Sequence, residues 1–499
     1  MPAIDFSSVS VDTMMLMPVI VLWLTAAAIM LGNTFFWRDK RAWPAIISLV
    51  AIVVSALFCF NIRSTYADSM TTAFADSVKV DYVSFMGNIA LLVTAFLSVL
   101  VAWTYLRNKG LNRSDYYVLL LLSVSGAMLM TDANDLIVLF LGLEILSFAL
   151  YALVGFSTKE ARSEEASIKY FLLGAFASAF LLYGISMVYG VMQSTNLDVI
   201  FAKASQMHGF SAMLLAGVGL LLVGLGFKAA LIPFHQWTPD VYDGAPTSVT
   251  AFMAAAAKIG AFIALLRVFD ALSPVKVAWL PAVQILAILS MIFGNILAIS
   301  QTSLKRLLAY SSIAHAGYLM VAIASLPVST TGHRLTGLAS QSAIFYLFAY
   351  VFMTMGAFGV MVYLSPEGKE FQSIKDLKGL SRTNPVAAYG MMFFMLSLGG
   401  IPPTMGFMGK WQIFMSAVQN GQIMLSIVMA LASVFAVYYY LRVVYMMTFE
   451  EPVGASPKAA TSCAPVRSVL AISAFATIIF GLAPGWLISL LTVNNPAAK

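Results

Sequence analysis

Charge is what this chain has least of. Only 10% of its 499 residues are Asp, Glu, Lys or Arg, against 61% hydrophobic ones, and the mean hydropathy is +0.89. A soluble domain carries about 25% charged residues, so the composition excludes a soluble protein and indicates a polytopic membrane protein. Cysteine is nearly missing as well: Cys59 lies in an apolar run and Cys463 in a polar loop. That excludes a disulfide framework, a CxxC pair and iron–sulfur spacing. No basic leader opens the chain, because the first charges are Asp5 and Asp12 and a long apolar run follows. The start therefore reads as an uncleaved first span. A net charge of +6 does not imply nucleic acid, since Lys and Arg sit in short clusters between apolar runs.

A helix needs about 20 residues to cross the hydrocarbon core. Scanning for such runs predicts an all-α polytopic fold with about fourteen spans, at 14–36, 42–62, 80–106, 115–131, 134–156, 166–191, 211–231, 246–269, 277–300, 304–326, 337–364, 386–418, 422–447 and 466–491. Connections are short. Sorting the 28 Lys and Arg residues by loop places seventeen on one side, from Arg38, Lys40 and Arg41 through Lys305, Lys369 and Lys458 to Arg467. Only Arg63, Lys79, Lys203, Arg267, Lys276, Arg334 and Lys499 fall on the other. Positive loops face the cytoplasm, so both termini are expected outside it.

The few charges inside the spans carry the functional signal. Lys169, Lys228, Lys258, Lys410 and Glu144 each interrupt an apolar run. An ionisable group at membrane depth costs roughly 3 kcal/mol or more by insertion scales and marks function by default. None of these cations is Arg. Lysine loses its proton when desolvated and arginine does not, so a lysine set suits proton movement.

Two spans carry breakers beside such a lysine. In Gly224-Leu-Gly-Phe-Lys228-Ala-Ala-Leu-Ile-Pro233 a proline follows the lysine. In Gly399-Gly-Ile-Pro402-Pro403-Thr-Met-Gly-Phe-Met-Gly409-Lys410 the prolines precede it. Proline removes a backbone donor, so both helices are expected to break. A broken helix in a membrane is tolerated where it is buried in protein or lines a wet cavity, and a pair in corresponding halves points to inverted repeats. The expected organisation is an N-terminal three-helix segment (1–114), two inverted five-helix repeats (115–270 and 271–448) and a C-terminal helix (449–499).

Pro233-Phe-His235-Gln-Trp-Thr-Pro-Asp240-Val-Tyr-Asp-Gly-Ala-Pro246, followed by the helix of Lys258, resembles the signature of the antiporter-like subunits of respiratory complex I and of multisubunit sodium/proton antiporters. The likeness runs from about Asp81 to about Tyr445. Within that family, Lys305-Arg-Leu-Leu-Ala-Tyr-Ser-Ser-Ile-Ala-His315-Ala-Gly-Tyr318 and Glu165-Ala-Ser-Ile-Lys169-Tyr resemble the N-type subunit of NADH:quinone oxidoreductase. A lysine rather than a glutamate in the twelfth span, and no long lateral helix after the fourteenth, agree with that type. The resemblance implies a proton-carrying subunit of the membrane arm without a redox centre of its own. NADH, FMN, iron–sulfur clusters and quinone would reside in partner subunits, neighbouring membrane subunits and lipids would surround it, and the location would be a bacterial inner membrane. It further implies a central axis of Glu144, Lys228, Lys258 and Lys410.

Physical chemistry supplies roles for that axis. A carboxylate beside an ammonium lowers the cost of burying both, and separating them changes both affinities for the proton, so Glu144 with Lys228 is expected to form a switchable pair. Lys258 would pass the proton on and Lys410 exchange it with the far side. His315 and His235 are further candidate relays, with intrinsic pKa values of about 6.5. Each residue has a plainer reading: a neutralised structural neighbour for Glu144, snorkelling for Lys228, Lys258 and Lys410, an interfacial anchor for Lys169, hydrogen-bonded core for the histidines. Glu165 and Asp240 read as interfacial. The glycines around Gly217 and Gly224 read as helix packing rather than a dinucleotide site. Other functions compatible with the charges are a multisubunit Na+/H+ antiporter or ion-pumping membrane hydrogenase subunit, a solute transporter, and a passive scaffold.

Overall fold

The computed structural model describes residues 6–35, 42–66, 71–111, 113–207, 209, 211–329, 335, 337–365, 370, 372–452 and 464–492. Asp5, Arg38, Lys40, Arg41, Arg334, Lys369, Lys458, Cys463 and Lys499 lie outside these residues. An N-terminal trio comprises α1 (Phe6–Phe35), α2 (Trp43–Thr65) and α3 (Tyr82–Lys109). Five membrane elements follow: α4 (Asp115–Asp132), α5 (Leu136–Val154), α6 (Ala161–Met192), the broken pair α8 (Ala212–Ala229) and α9 (Trp237–Gly244), and α10 (Thr247–Ala271), with a short α7 (Leu197–Ser205) after α6. The second five are α11 (Lys276–Ile299), α12 (Leu304–Ala324), α13 (Leu338–Tyr363), the broken pair α15 (Pro385–Gly399) and α16 (Met405–Gln419), and α17 (Ile423–Thr448), with a one-turn α14 (Leu380–Thr383) before α15. The last span is α18 (Ala464–Leu482), continued by α19 (Pro484–Thr492).

Twelve of these elements are long and apolar enough to cross a membrane by themselves. α4 and the interrupted α15–α16 complete the fourteen expected spans. Two features were not anticipated. Residues Thr71–Ala73 and Val78–Val80 form a small antiparallel hairpin (β1 and β2) between α2 and α3. α7 is an amphipathic helix capped by Asn196, too short and too polar to register in a search for spans.

The two sets of five repeat one packing scheme. α4 packs on α5 as α11 packs on α12, and α13 meets α15 and α16 as α6 meets α8. Both antiparallel pairs rely on glycine for close approach. A Cβ added at Gly126 of α4 would lie 2.4 Å from the Leu146 nitrogen, and one at Gly294 of α11 would lie 2.8 Å from the Ala314 nitrogen. Small residues at such crossings let backbones touch where lipid supplies no hydrophobic drive.

α10 and α13 are wholly enclosed and α12 nearly so, whereas only a third of α6 is covered. The outer helices present Leu24, Phe148, Phe176 and Phe435 outward, which suits lipid or another apolar subunit. Several cations assigned from sequence to loops are buried in the fold. Arg267 and Lys305 are fully enclosed, and Lys79 is nearly so in a salt bridge to Asp198. Arg267 and Lys305 lie near helix ends and Lys79 in strand β2 of the hairpin, positions hydropathy alone does not separate from a solvated turn.

Candidate functional site

Both predicted interruptions occur. α8 ends at Ala229, one residue after Lys228, and Ala230 takes the left-handed conformation with φ +61°. The freed carbonyl of Phe227 accepts from the Trp237 indole at 2.9 Å, and the Ile232 amide donates to Ser290 Oγ at 3.0 Å. α15 ends at Gly399, the next residue Gly400 is left-handed with φ +84°, and α16 restarts behind Thr404, whose hydroxyl accepts from the Phe407 amide. Lys228 thus stands in the last turn of the first half-helix α8, whereas Lys410 belongs to the second half-helix α16 and reaches back with its ammonium to the C-terminal end of α15. At both places the helix dipole favours a cation.

Their partners differ. Lys228 Nζ donates to Ser147 Oγ at 2.8 Å and Tyr170 OH at 3.1 Å. Lys410 Nζ donates to the Leu398 and Gly399 carbonyls at 3.0 and 2.9 Å, the end of α15 itself, and lies 5.0 Å from the centre of the Tyr318 ring. A side chain at Gly400 would press on Lys410, because an added Cβ would sit 3.0 Å from its Cδ and 3.1 Å from Nζ. The third enclosed lysine is Lys258 of α10. It donates to the carbonyl of Ser312 and, at 2.7 Å, to that residue's hydroxyl, with its ammonium 4.7 Å from the centre of the Tyr350 ring. All three lysines are buried, none has a carboxylate in contact among the described residues, and a ring faces each. Cation–π contact of this kind stabilises a charge by about 2 kcal/mol or more when desolvated.

Glu144 is half-buried on α5 and accepts from the Ser178 hydroxyl of α6 rather than from Lys228. The expected pair is therefore near but open. A cleft of about 210 Å³, counting the space at its mouth, is lined by Ser147, Tyr151, Lys228 and Ser178, the residue whose hydroxyl bonds Glu144. His315 of α12 is fully enclosed, one ring nitrogen on Tyr346 OH and the other 3.1 Å from Tyr440 OH. Tyr440 also bonds Ser311. His235 sits in the first break, half-buried, with Nδ1 unpartnered among the described residues. Lys169 stands apart from the axis, exposed, paired with Glu165 at 2.7 Å and with Asp240 at 3.0 Å, and Asp240 also holds Arg306 at 2.8 Å. Burial pushes the Asp240 carboxyl up, but Lys169 and Arg306 outweigh it and hold it below its usual range.

The tyrosines and serines were missed. Tyr170 stacks on Trp237 at 4.5 Å, and Tyr242 OH lies 3.5 Å from Ser312 Oγ, which bonds Lys258. Ser311, Ser312, His315 and Tyr318 share one face of α12 at helical spacing, a polar stripe within an apolar helix that reading for charge alone passes over. Together these groups join Lys258 to the His315 cluster by hydroxyls and rings. Such groups accept and return protons without holding a fixed charge.

A site of this kind has relatives. The family described as NADH:quinone oxidoreductase/Mrp antiporter, TM, matches residues 133–436. NADH-quinone oxidoreductase subunit N of Trichlorobacter lovleyi is 40% identical over 481 residues, covering 96% of each chain. The chain belongs to the NADH-quinone oxidoreductase subunit N family. A chain of respiratory complex I from Thermus thermophilus, solved with aureothin bound, is 33% identical, covers 95% of this chain and 98% of its own, and superposes with a TM-score of 0.79. A chain of the Mrp complex from Dietzia sp. superposes at 0.81 with 17% identity, over 95% of this chain and 96% of its own, a likeness of fold alone.

Proposed function

We propose that this chain is a proton-translocating subunit of the membrane arm of an NADH:quinone oxidoreductase. It holds no redox role itself: NADH, FMN, iron–sulfur clusters and quinone belong to partner subunits, and its contribution to the enzyme is translocation. The observation that carries the reading is the set of three enclosed lysines held by hydroxyls, carbonyls and rings instead of carboxylates. A permanent structural cation would be paired with a carboxylate, because an unpaired buried charge is costly. A lysine held only by neutral groups keeps its structure in either protonation state.

Electron transfer to quinone in a partner shifts charge at one end of the axis. Glu144 and Lys228 close or part in response, and Ser147 and Ser178 offer each its alternative partner. A proton leaving Lys228 raises the tendency of Lys258 to take one, and the Ser312, Tyr350, His315 and Tyr440 groups carry it toward Lys410. The halves that work against each other are 115–270 and 271–448, joined to the segments 1–114 and 449–499. The location is a bacterial inner membrane with both termini on the periplasmic side. A Na+/H+ antiporter or hydrogenase subunit shares the lysines and breaks, but the full-length identity to subunit N proteins favours the quinone enzyme.

The test is NADH-driven acidification of inverted membrane vesicles, with Lys258→Ala beside wild type and with sodium present or absent. Loss of proton uptake in the variant at normal assembly, with no need for sodium, is the expected result. Uptake that requires sodium and ignores NADH overturns the reading in favour of an antiporter.

A further inference from the structure

A buried amide lies outside the charged axis, in the second repeat. Asn295 of α11 is almost fully enclosed. Its Nδ2 donates to the Met291 carbonyl of its own helix at 2.8 Å, to the Ala432 carbonyl of α17 at 3.0 Å and to the Tyr318 hydroxyl of α12 at 3.3 Å. Its Oδ1 accepts from the Tyr439 hydroxyl of α17 at 3.0 Å. Two backbone carbonyls face the nitrogen, and a carbonyl only accepts, so the amide cannot be turned round. Tyr439 therefore donates to it and Tyr318 receives from it. Ser433 of α17 also meets the Tyr318 hydroxyl. A serine hydroxyl rotates, whereas this amide is fixed by its other three bonds.

Both tyrosines lead into the site. The Tyr318 ring faces the Lys410 ammonium, 5.0 Å from it, and meets the His315 ring edge-on at 5.7 Å. Tyr439 packs on Tyr440 at 4.4 Å, and the Tyr440 hydroxyl lies 3.1 Å from a His315 ring nitrogen. A ring attracts an ammonium only while its face is held toward it. The first repeat has no such anchor. Matching the close approach of Gly126 to Leu146 with that of Gly294 to Ala314 puts Ala127 and Leu150 where Asn295 and Tyr318 stand, and both are buried and apolar. A buried amide is costly beside an alanine unless its bonds are made. Here it occurs in the half whose lysine bonds backbone carbonyls rather than hydroxyls.

We propose that Asn295 is a positioning residue for the Lys410 end of the proton path. It fixes the Tyr318 ring against the Lys410 ammonium and, through Tyr439, the Tyr440 hydroxyl against His315. The lysine and the histidine cluster thereby keep one geometry while the proton moves. Asn295 carries no proton itself. The proposal rests on the translocation reading above.

The experiment compares Asn295→Leu, Tyr318→Phe, the two combined and Lys410→Ala in the intact enzyme in inverted vesicles. It scores assembly, protons moved per NADH and the tyrosine bands of the redox-induced infrared difference spectrum. Tyr318→Phe keeps the ring and loses only the hydroxyl that Asn295 holds. Asn295→Leu is expected to lower protons per NADH severalfold at normal assembly and to shift a tyrosine band that Tyr318→Phe removes. Tyr318→Phe should match that loss, and the double variant should be no worse than either. Asn295→Leu strands the Tyr439 hydroxyl; should it fail to assemble, Asn295→Leu with Tyr439→Phe removes both partners and takes its place. Lys410→Ala without effect on pumping sinks the translocation reading itself. If Lys410→Ala abolishes pumping while Asn295→Leu and Tyr318→Phe retain it, the positioning role alone is wrong. Additive losses in the double variant, or a loss in Asn295→Leu with every tyrosine band unmoved, overturn it in favour of a packing role.

Discussion

The two broken helices hold their lysines in opposite ways. At the first break the loose carbonyl of α8 goes to the Trp237 indole, which leaves Lys228 to the side chains of Ser147 and Tyr170. At the second, Lys410 itself takes the last carbonyls of α15. Side-chain partners can rotate away, whereas backbone carbonyls move only if the helix end moves. In the proposed mechanism the first lysine is therefore the switchable one, with Glu144, held by Ser178, as its alternative partner. The second reports the geometry of its break. One sequence element, a lysine near prolines, thus yields two devices.

Several substitutions break or sharpen that contrast. Lys228→Ala has the largest expected effect, a fall in NADH-driven proton uptake of an order of magnitude or more at normal assembly, as for loss of a proton-transfer group. Glu144→Gln comes next. It keeps a polar partner for Ser178 but cannot attract Lys228, so pumping drops while quinone reduction loses its dependence on the proton gradient; unchanged gradient control would refute the switch. Gly400→Ala is expected to act only at the second break. A left-handed alanine costs about 1 kcal/mol, and its methyl displaces Lys410, so pumping declines partially and selectively, measured against a Gly110→Ala control at another left-handed glycine with open space around it.

The smallest effect on pumping is expected away from both breaks. Lys305, fully enclosed, pairs at 2.9 Å with Glu370, which also accepts from Tyr105 OH and from the Thr247 amide at the start of α10. Burial alone would raise the Glu370 carboxyl, but Lys305 and the Tyr105 hydroxyl outweigh it and hold it at about 2. An unfolded glutamate titrates near 4.3, so a gap of that size corresponds to on the order of 3 kcal/mol, present above the unfolded value and lost as pH falls through the folded one. Glu370→Gln should lower thermal stability at pH 7 with little change in protons per NADH, and the stability gap should narrow only below about pH 4. A gap that is the same at pH 3 and pH 7 would contradict the assignment.

Much of this was legible in sequence. Fourteen apolar runs, two proline interruptions and the lysines beside them follow from hydropathy and backbone chemistry, and each appears where those rules put it. The tyrosines did not show, because Tyr170, Tyr346 and Tyr440 lie in apolar helices and read as membrane core until a neighbouring helix supplies His315 or Lys228. Arg267 and Asp81 are 186 positions apart, so nothing local marks either as half of a buried pair. That Glu144 bonds Ser178 while Lys228 bonds Ser147 and Tyr170 depends on neighbours from other helices, which composition and spacing do not encode.

The central claim is that the Glu144–Lys228 pair gates proton movement along the axis. It is tested most directly by protons moved per NADH in inverted vesicles for Glu144→Gln, Lys228→Ala and the double variant, with assembly verified. The account predicts that each single variant loses most pumping and that the double is no worse than the worse single, since both remove one switch. Independent, additive losses, or full pumping in all three, would contradict it.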